Sequence, residues 1–139
     1  MLLVNDLMTV IPSTVSPETP LRTIVGIMKS EGCRQLPVLE RGRLVGMITD
    51  RDVRLAMNSP MVDHGHWQDE EILGTVTAET CMTPKPITVS PDTPAYEAAR
   101  MLGIYKFGSL PVVEDGTLVG IITVTDYLNY VAKILEDEA

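Results

Sequence analysis

Met8 lies 74 positions before Met82, and when the two are superposed the register holds without a gap until Met57 meets Val131. A sequence that repeats at a fixed interval builds the same unit more than once, so any fold assigned here must be assigned twice. MTVIPSTVSPETP (Met8 to Pro20) falls on MTPKPITVSPDTP (Met82 to Pro94), and LPVLERGRLVGMITDRD (Leu36 to Asp52) falls on LPVVEDGTLVGIITVTD (Leu110 to Asp126). Between these blocks identity fades while apolar character persists, as at Ile27/Met101 and Met28/Leu102. That is the behaviour of a helix that keeps only its core face.

Punctuation gives the order of elements within each repeat. Thr14-Val15 and Thr88-Val89 suit short extended segments, and Ser16-Pro17-Glu18-Thr19-Pro20 and Ser90-Pro91-Asp92-Thr93-Pro94 supply caps and early-helix prolines. Helices are expected over about 20–31 and 94–105, with Ile24, Ile27 and Met28, and again Ala98, Met101 and Leu102, on one face. Short apolar runs then flank Arg41-Gly42 and Asp115-Gly116, the second a strong hairpin signal. Closing helices are expected over about 50–58 and 124–136. The fold class is α/β (α+β), a β-α-β-β-α unit made twice, with repeats at 1–58 and 76–139 and an acidic insert at 59–75.

With 139 residues the chain can bury one substantial core, built from aliphatic residues because aromatics make up only 4%. The net charge of −8 opposes nucleic acid and anionic membrane surfaces as partners. It is unevenly spread: residues 1–57 carry seven Lys/Arg against six Asp/Glu, whereas 76–139 carry four against nine. An anionic ligand is therefore expected to favour the first repeat. Cys33 and Cys81 show neither CxxC spacing nor a disulfide framework and read as reduced, buried thiols. The N-terminus has no basic region of a signal peptide, and no apolar run approaches the roughly 18 residues of a membrane span. No membrane insertion and a cytoplasmic location are the expectations.

The LPV strands, the Gly-Arg-Leu-Val-Gly and Gly-Thr-Leu-Val-Gly turns, the closing G-x-I-T-x-x-D and the Met-Thr openings together resemble CBS domains, named after cystathionine β-synthase, over most of residues 4–135. The resemblance implies a stand-alone Bateman module in which two repeats pack about a pseudo-two-fold axis. It also implies clefts that take AMP, ADP, ATP or S-adenosylmethionine, and pairing of modules into a homodimer. An apolar stripe at Leu128, Val131 and Leu135 suits such pairing, or intramolecular core.

Thr49 and Asp52, and Thr123 and Asp126, stand where a strand hands over to a helix. A helix N-terminus offers N–H groups to an anion, a threonine hydroxyl can join them, and a carboxylate three residues on can accept from both hydroxyls of a ribose. By resemblance Asp52 and Asp126 are the ribose-reading positions. The same T-x-x-D spacing is also a capping box, in which Thr and Asp bond each other's backbone. Arg51 is positioned to pair with phosphate, and Arg34, whose counterpart is Gly108, adds a second cation in repeat one only. The resemblance makes Pro12 to Val15 and Pro86 to Val89 candidate walls for an adenine, with Val15 and Val89 lining it or serving as core. Cys33-Arg34-Gln35 and Phe107-Gly108-Ser109 are candidates for backbone contacts to the base.

Asp63-His64-Gly65-His66-Trp67 gathers two imidazoles and a carboxylate, but metal sites draw ligands from more than one segment, so a solvated loop is expected, with Trp67 anchoring it. No metal and no catalytic set is assigned: the cysteines lack a base and an orienting group, and neither a Walker A pattern nor G-x-S-x-G occurs. The expected function is regulatory. A small nucleotide binds and an effector enzyme or transporter reads the change, the alternative being a dimerisation scaffold with empty clefts.

Overall fold

The computed structural model describes residues 1–10, 12–58 and 66–139. It holds seven helices and six strands among those residues: α1 (Val4–Leu7), β1 (Thr9–Val10), α2 (Leu21–Glu31), β2 (Gln35–Glu40), β3 (Arg43–Thr49), α3 (Asp50–Met57), α4 (His66–Thr75), α5 (Ala78–Cys81), β4 (Thr83–Pro84), α6 (Ala95–Tyr105), β5 (Ser109–Glu114), β6 (Thr117–Thr123) and α7 (Val124–Asp137). The α+β class and the duplicated order are as the sequence implies. Ends of the four long helices of the repeats fall within a residue or so of the expected ones.

Each hairpin turns on two residues of positive φ, Arg41 (52°) with Gly42 (78°) and Asp115 (51°) with Gly116 (80°), the backbone of a type I′ turn. Arg41 accepts the left-handed conformation that its counterpart Asp115 tolerates more easily. Leu36 pairs with Ile48 and Val38 with Gly46; Leu110 pairs with Ile122 and Val112 with Gly120. Both hairpins carry an irregularity at the same step, between Val38 and Leu39 and between Val112 and Val113. The extended segments expected at Thr14-Val15 and Thr88-Val89 are smaller than expected. Val15 and Val89 each make a single parallel bridge, to Val38 and Val112, while the third strand of each sheet comes from the Met-Thr openings.

Those openings do not pair within their own repeat. β1 pairs antiparallel with β6, and β4 with β3, giving three-stranded sheets of order β1-β6-β5 and β2-β3-β4. The chain accordingly divides into one compact unit of Met1–Pro12 with Ile87–Ala139 and another of Ser13–Pro86, a cut that differs from the sequence repeats at 1–58 and 76–139. Gly46 and Gly120 make the exchange possible. A Cβ on Gly120 would lie 2.7 Å from the Thr9 carbonyl oxygen and 2.8 Å from Met8 Sδ, and one on Gly46 would lie 2.5 Å from Met82 Sδ.

Each unit has its own core. In Ser13–Pro86, Leu21, Ile24, Leu36, Val38 and Ile48 pack together; in the other, Val4, Ala98, Leu110, Val112 and Ile122 do. Residues 66–75, within the stretch expected as an acidic insert, form α4, with Ile72 buried in the Ser13–Pro86 core and Glu70 meeting Arg22 at 2.8 Å. The acidic character of this stretch hid an aliphatic pair, Ile72-Leu73, that the core uses. Asp63, His64 and Gly65 lie outside the described residues. No helix among the described residues is long and apolar enough to cross a membrane.

Candidate functional site

The two T-x-x-D segments take the same conformation. Thr49 is the N-cap of α3, with extended φ and ψ (−114°, 164°), and Thr123 is the N-cap of α7 (−122°, 160°). Both capping boxes are closed. Asp52 N–H donates to Thr49 Oγ1 at 3.1 Å and Thr49 N–H to Asp52 Oδ2 at 2.9 Å; the counterparts at Thr123 and Asp126 are 3.0 and 2.8 Å. Each box satisfies two backbone donors that would otherwise face water.

The segment before each hairpin closes on the same turn. Asp50 N–H donates to the Arg34 carbonyl at 2.8 Å and Val124 N–H to the Gly108 carbonyl at 3.0 Å. The Cys33 and Phe107 amides are likewise taken, by the Met28 and Leu102 carbonyls. The helix end is thus less open than its position suggests. Of the first three amides of α3, those of Asp50 and Asp52 are engaged, which leaves Arg51 N–H without a partner among the described residues.

What the turn still offers a ligand follows by subtraction. Thr49 Oγ1 accepts one bond but keeps its own proton to donate. Asp52 Oδ2 is engaged, while among the described residues Oδ1 accepts nothing. Arg34 and Arg51 are exposed, and neither forms an ion pair among the described residues; Arg54 reaches back to Asp50 at 3.9 Å. Thr49, Arg51, Asp52 and Arg34 therefore stand together at one end of the β2–β3 hairpin.

At the other turn Thr123 and Asp126 are joined by Thr9, which pairing of β1 with β6 delivers, its hydroxyl donating to Asp126 Oδ1 at 3.4 Å. The duplicated Met-Thr opening was the signal for Thr9, but two residues carry no periodicity that says which hairpin they join. Val15 and Val89 are placed in the two cores, 7% and 8% exposed, with their amides and carbonyls bonded to Pro37 and Leu39 and to Pro111 and Val113.

Neighbouring ionisable groups feel these carboxylates. Burial, and after it the Asp126 charge, push the Tyr127 phenol up to about 12, and its hydroxyl donates to the Ala95 carbonyl at 2.6 Å. Burial and then Asp52 raise the Cys81 thiol; burial and then Glu31 raise Cys33. Raised thiols are poor nucleophiles, consistent with packing roles.

The CBS domain family matches residues 4–59 and 76–133. The chain belongs to the CBS domain family. A CBS domain-containing protein of Dictyostelium discoideum is 33% identical over 136 residues, covering 96% of this chain and 94% of that one. Among solved CBS structures, CBSX2 of Arabidopsis thaliana in complex with AMP is 30% identical with a TM-score of 0.80, covering 96% of this chain and 99% of the other. The CBS domain pair of protein MJ0100, in complex with 5′-methylthioadenosine and S-adenosyl-L-methionine, is 27% identical with a TM-score of 0.76, covering 93% and 98%.

Proposed function

We propose that this CBS pair binds an adenine nucleotide (AMP, ADP or ATP) or S-adenosylmethionine as a regulatory ligand and acts through a partner protein rather than by turnover. The supporting observation is the likeness, along nearly the whole chain, to a CBS pair solved with AMP. Asp52 Oδ1 accepts from the ribose, the Thr49 hydroxyl and Arg51 amide donate to phosphate, and the Arg34 and Arg51 guanidiniums balance its charge. None of these contacts requires the capping box to open. Titration calorimetry with AMP, ADP, ATP and S-adenosylmethionine tests the reading, and absence of heat and of thermal stabilisation with all four would overturn it. A ligand that binds only one of two packings shifts the population towards it, which is what a partner can read.

The closed capping boxes favour a second reading, in which T-x-x-D is only a helix cap and the module is a scaffold. Asp52→Ala separates the two: a scaffold loses about 1 kcal/mol of stability and nothing else. In either case α7 supports self-association as a homodimer. None of its residues is buried, and Leu128 and Leu135 are 62% and 60% exposed. Sedimentation of the native protein and of Leu128→Glu checks this: a dimer that the substitution dissociates supports it.

A further inference from the structure

The opening segments seat in the same way in the two units. Val4 N–H donates to the Thr93 carbonyl at 2.9 Å, Asn5 N–H to the Pro91 carbonyl at 3.0 Å and Ala95 N–H to the Leu2 carbonyl at 2.9 Å. In the other unit Ala78 N–H donates to Thr19, Glu79 N–H to Pro17 and Leu21 N–H to Val76, at 2.9, 3.0 and 2.9 Å. Val4 and Ala78 are both fully buried, and Met8 and Met82 pack against Gly120 and Gly46. In structure the repeat therefore reaches upstream of Met8, with Val4-x-x-Leu7-Met8-Thr9 answering Ala78-x-x-Cys81-Met82-Thr83. Each unit has a socket for one short apolar segment that ends in Met-Thr.

The two seats differ in connectivity. Residues 76–84 lie inside the continuous unit Ser13–Pro86, whereas residues 1–10 reach Ile87–Ala139 only through the whole of that other unit. Their hold on the socket is short: one fully buried side chain, Val4, with Leu7 and Met8 packed beside the core, the two residues of β1, and the Thr9 hydroxyl on Asp126. A second copy of the chain presents the same groups to the same socket, so nothing in these contacts distinguishes a segment in cis from one in trans. Addition of a short strand to a sheet edge is a recurring way for one chain to bind another.

We propose that the socket on Ile87–Ala139 is an interaction site for the opening segment of a second copy, each chain giving Val4, Met8 and Thr9 to the β6 edge of the other. In the native chain the tethered segment stands at a local concentration on the order of millimolar and fills its own socket, so exchange sets in when that seat is weakened or the protein is concentrated. Such exchange is separate from pairing through α7, because it moves residues 1–10 and leaves the α7 face as it is.

Two full-length variants test this. Val4→Asp puts an unpaired carboxylate into the core and unseats the segment while sparing the socket; Gly120→Val blocks the socket at the Thr9 carbonyl while sparing the segment. Mixed in equal amounts, both in the Leu128→Glu background so that α7 does not contribute, they should sediment as a one-to-one complex and melt at a higher temperature than either alone. By fluorescence anisotropy, a labelled peptide of residues 1–10 should bind the Val4→Asp chain at least about tenfold more tightly than the native chain, whose own segment competes. The same peptide carrying Val4→Asp should not bind. Val4→Ala, which keeps the core apolar, should take the native peptide with intermediate affinity and carries the test where Val4→Asp unfolds the unit. Failure of the peptide to bind either Val4 variant, with no mixed complex, overturns the proposal, and so does equal binding of the native and Val4→Asp peptides.

Discussion

Asp52 and Asp126 each give one carboxylate oxygen to a capping box, and the Thr9 hydroxyl donates to the other oxygen of Asp126. Asp52→Ala and Asp126→Ala should each cost about 1 kcal/mol in urea unfolding. Only the binding measurements separate that loss from a ligand role. The adjacent phenol gives a cleaner signal in pH. Because the Tyr127 pKa rises from 10.0 to about 12 on folding, the folded state holds this proton more tightly than the unfolded chain. Its contribution to stability is complete below pH 10 and is lost as pH rises through 12. Unfolding free energies across that window should fall more steeply for the native protein than for Tyr127→Phe, and equal slopes would contradict the assignment. A further residue is legible only by comparing the repeats. α2 ends on Gly32 at φ 65°, while α6 ends on Lys106 at φ 57°. Lys106→Gly should therefore stabilise the protein by about 1 kcal/mol in thermal or urea unfolding.

At the scale of elements, the hairpins and the four long helices of the repeats were readable because each leaves a signal longer than a turn. Asp115-Gly116 marks a hairpin, and apolar spacing at Ala98, Met101 and Leu102 marks a helix face. β1 and β4 were not readable, being two residues each and exposed, with Pro84 in one of them. What betrays them is the Gly before each Ile/Met-Ile-Thr ending, whose missing Cβ admits the crossing segment. Gly120→Ala should destabilise by about 1–3 kcal/mol in urea unfolding, because the Thr9 carbonyl cannot yield as a side chain can. Gly46→Ala should cost less, since the nearest atom is the flexible Met82 sulfur, with the Thr83 carbonyl at 3.0 Å. The T-x-x-D turns were legible as pairs. Their occupancy by an N–H from each partner is one of two readings the sequence allows, because a cap and a ligand site use the same residue types at the same spacing.

For the whole molecule, the sequence repeat and the folded unit are cut in different places. A fragment of residues 13–86 contains all of β2, β3, β4 and the helices that pack on them, including Ile72 and Ala78 of its core. Residues 1–58 contain a full sequence repeat but lack β4, α4 and α5. The first fragment should unfold cooperatively by circular dichroism and the second should not; the opposite result would contradict the exchange of opening segments. The central claim, that a turn built as a helix cap also reads an adenine nucleotide, is tested most directly by a crystal structure of the protein grown with saturating AMP. The ribose hydroxyls are expected on Asp52 Oδ1 with the phosphate beside Thr49 and Arg51, and AMP bound away from this turn, or not at all, would contradict it.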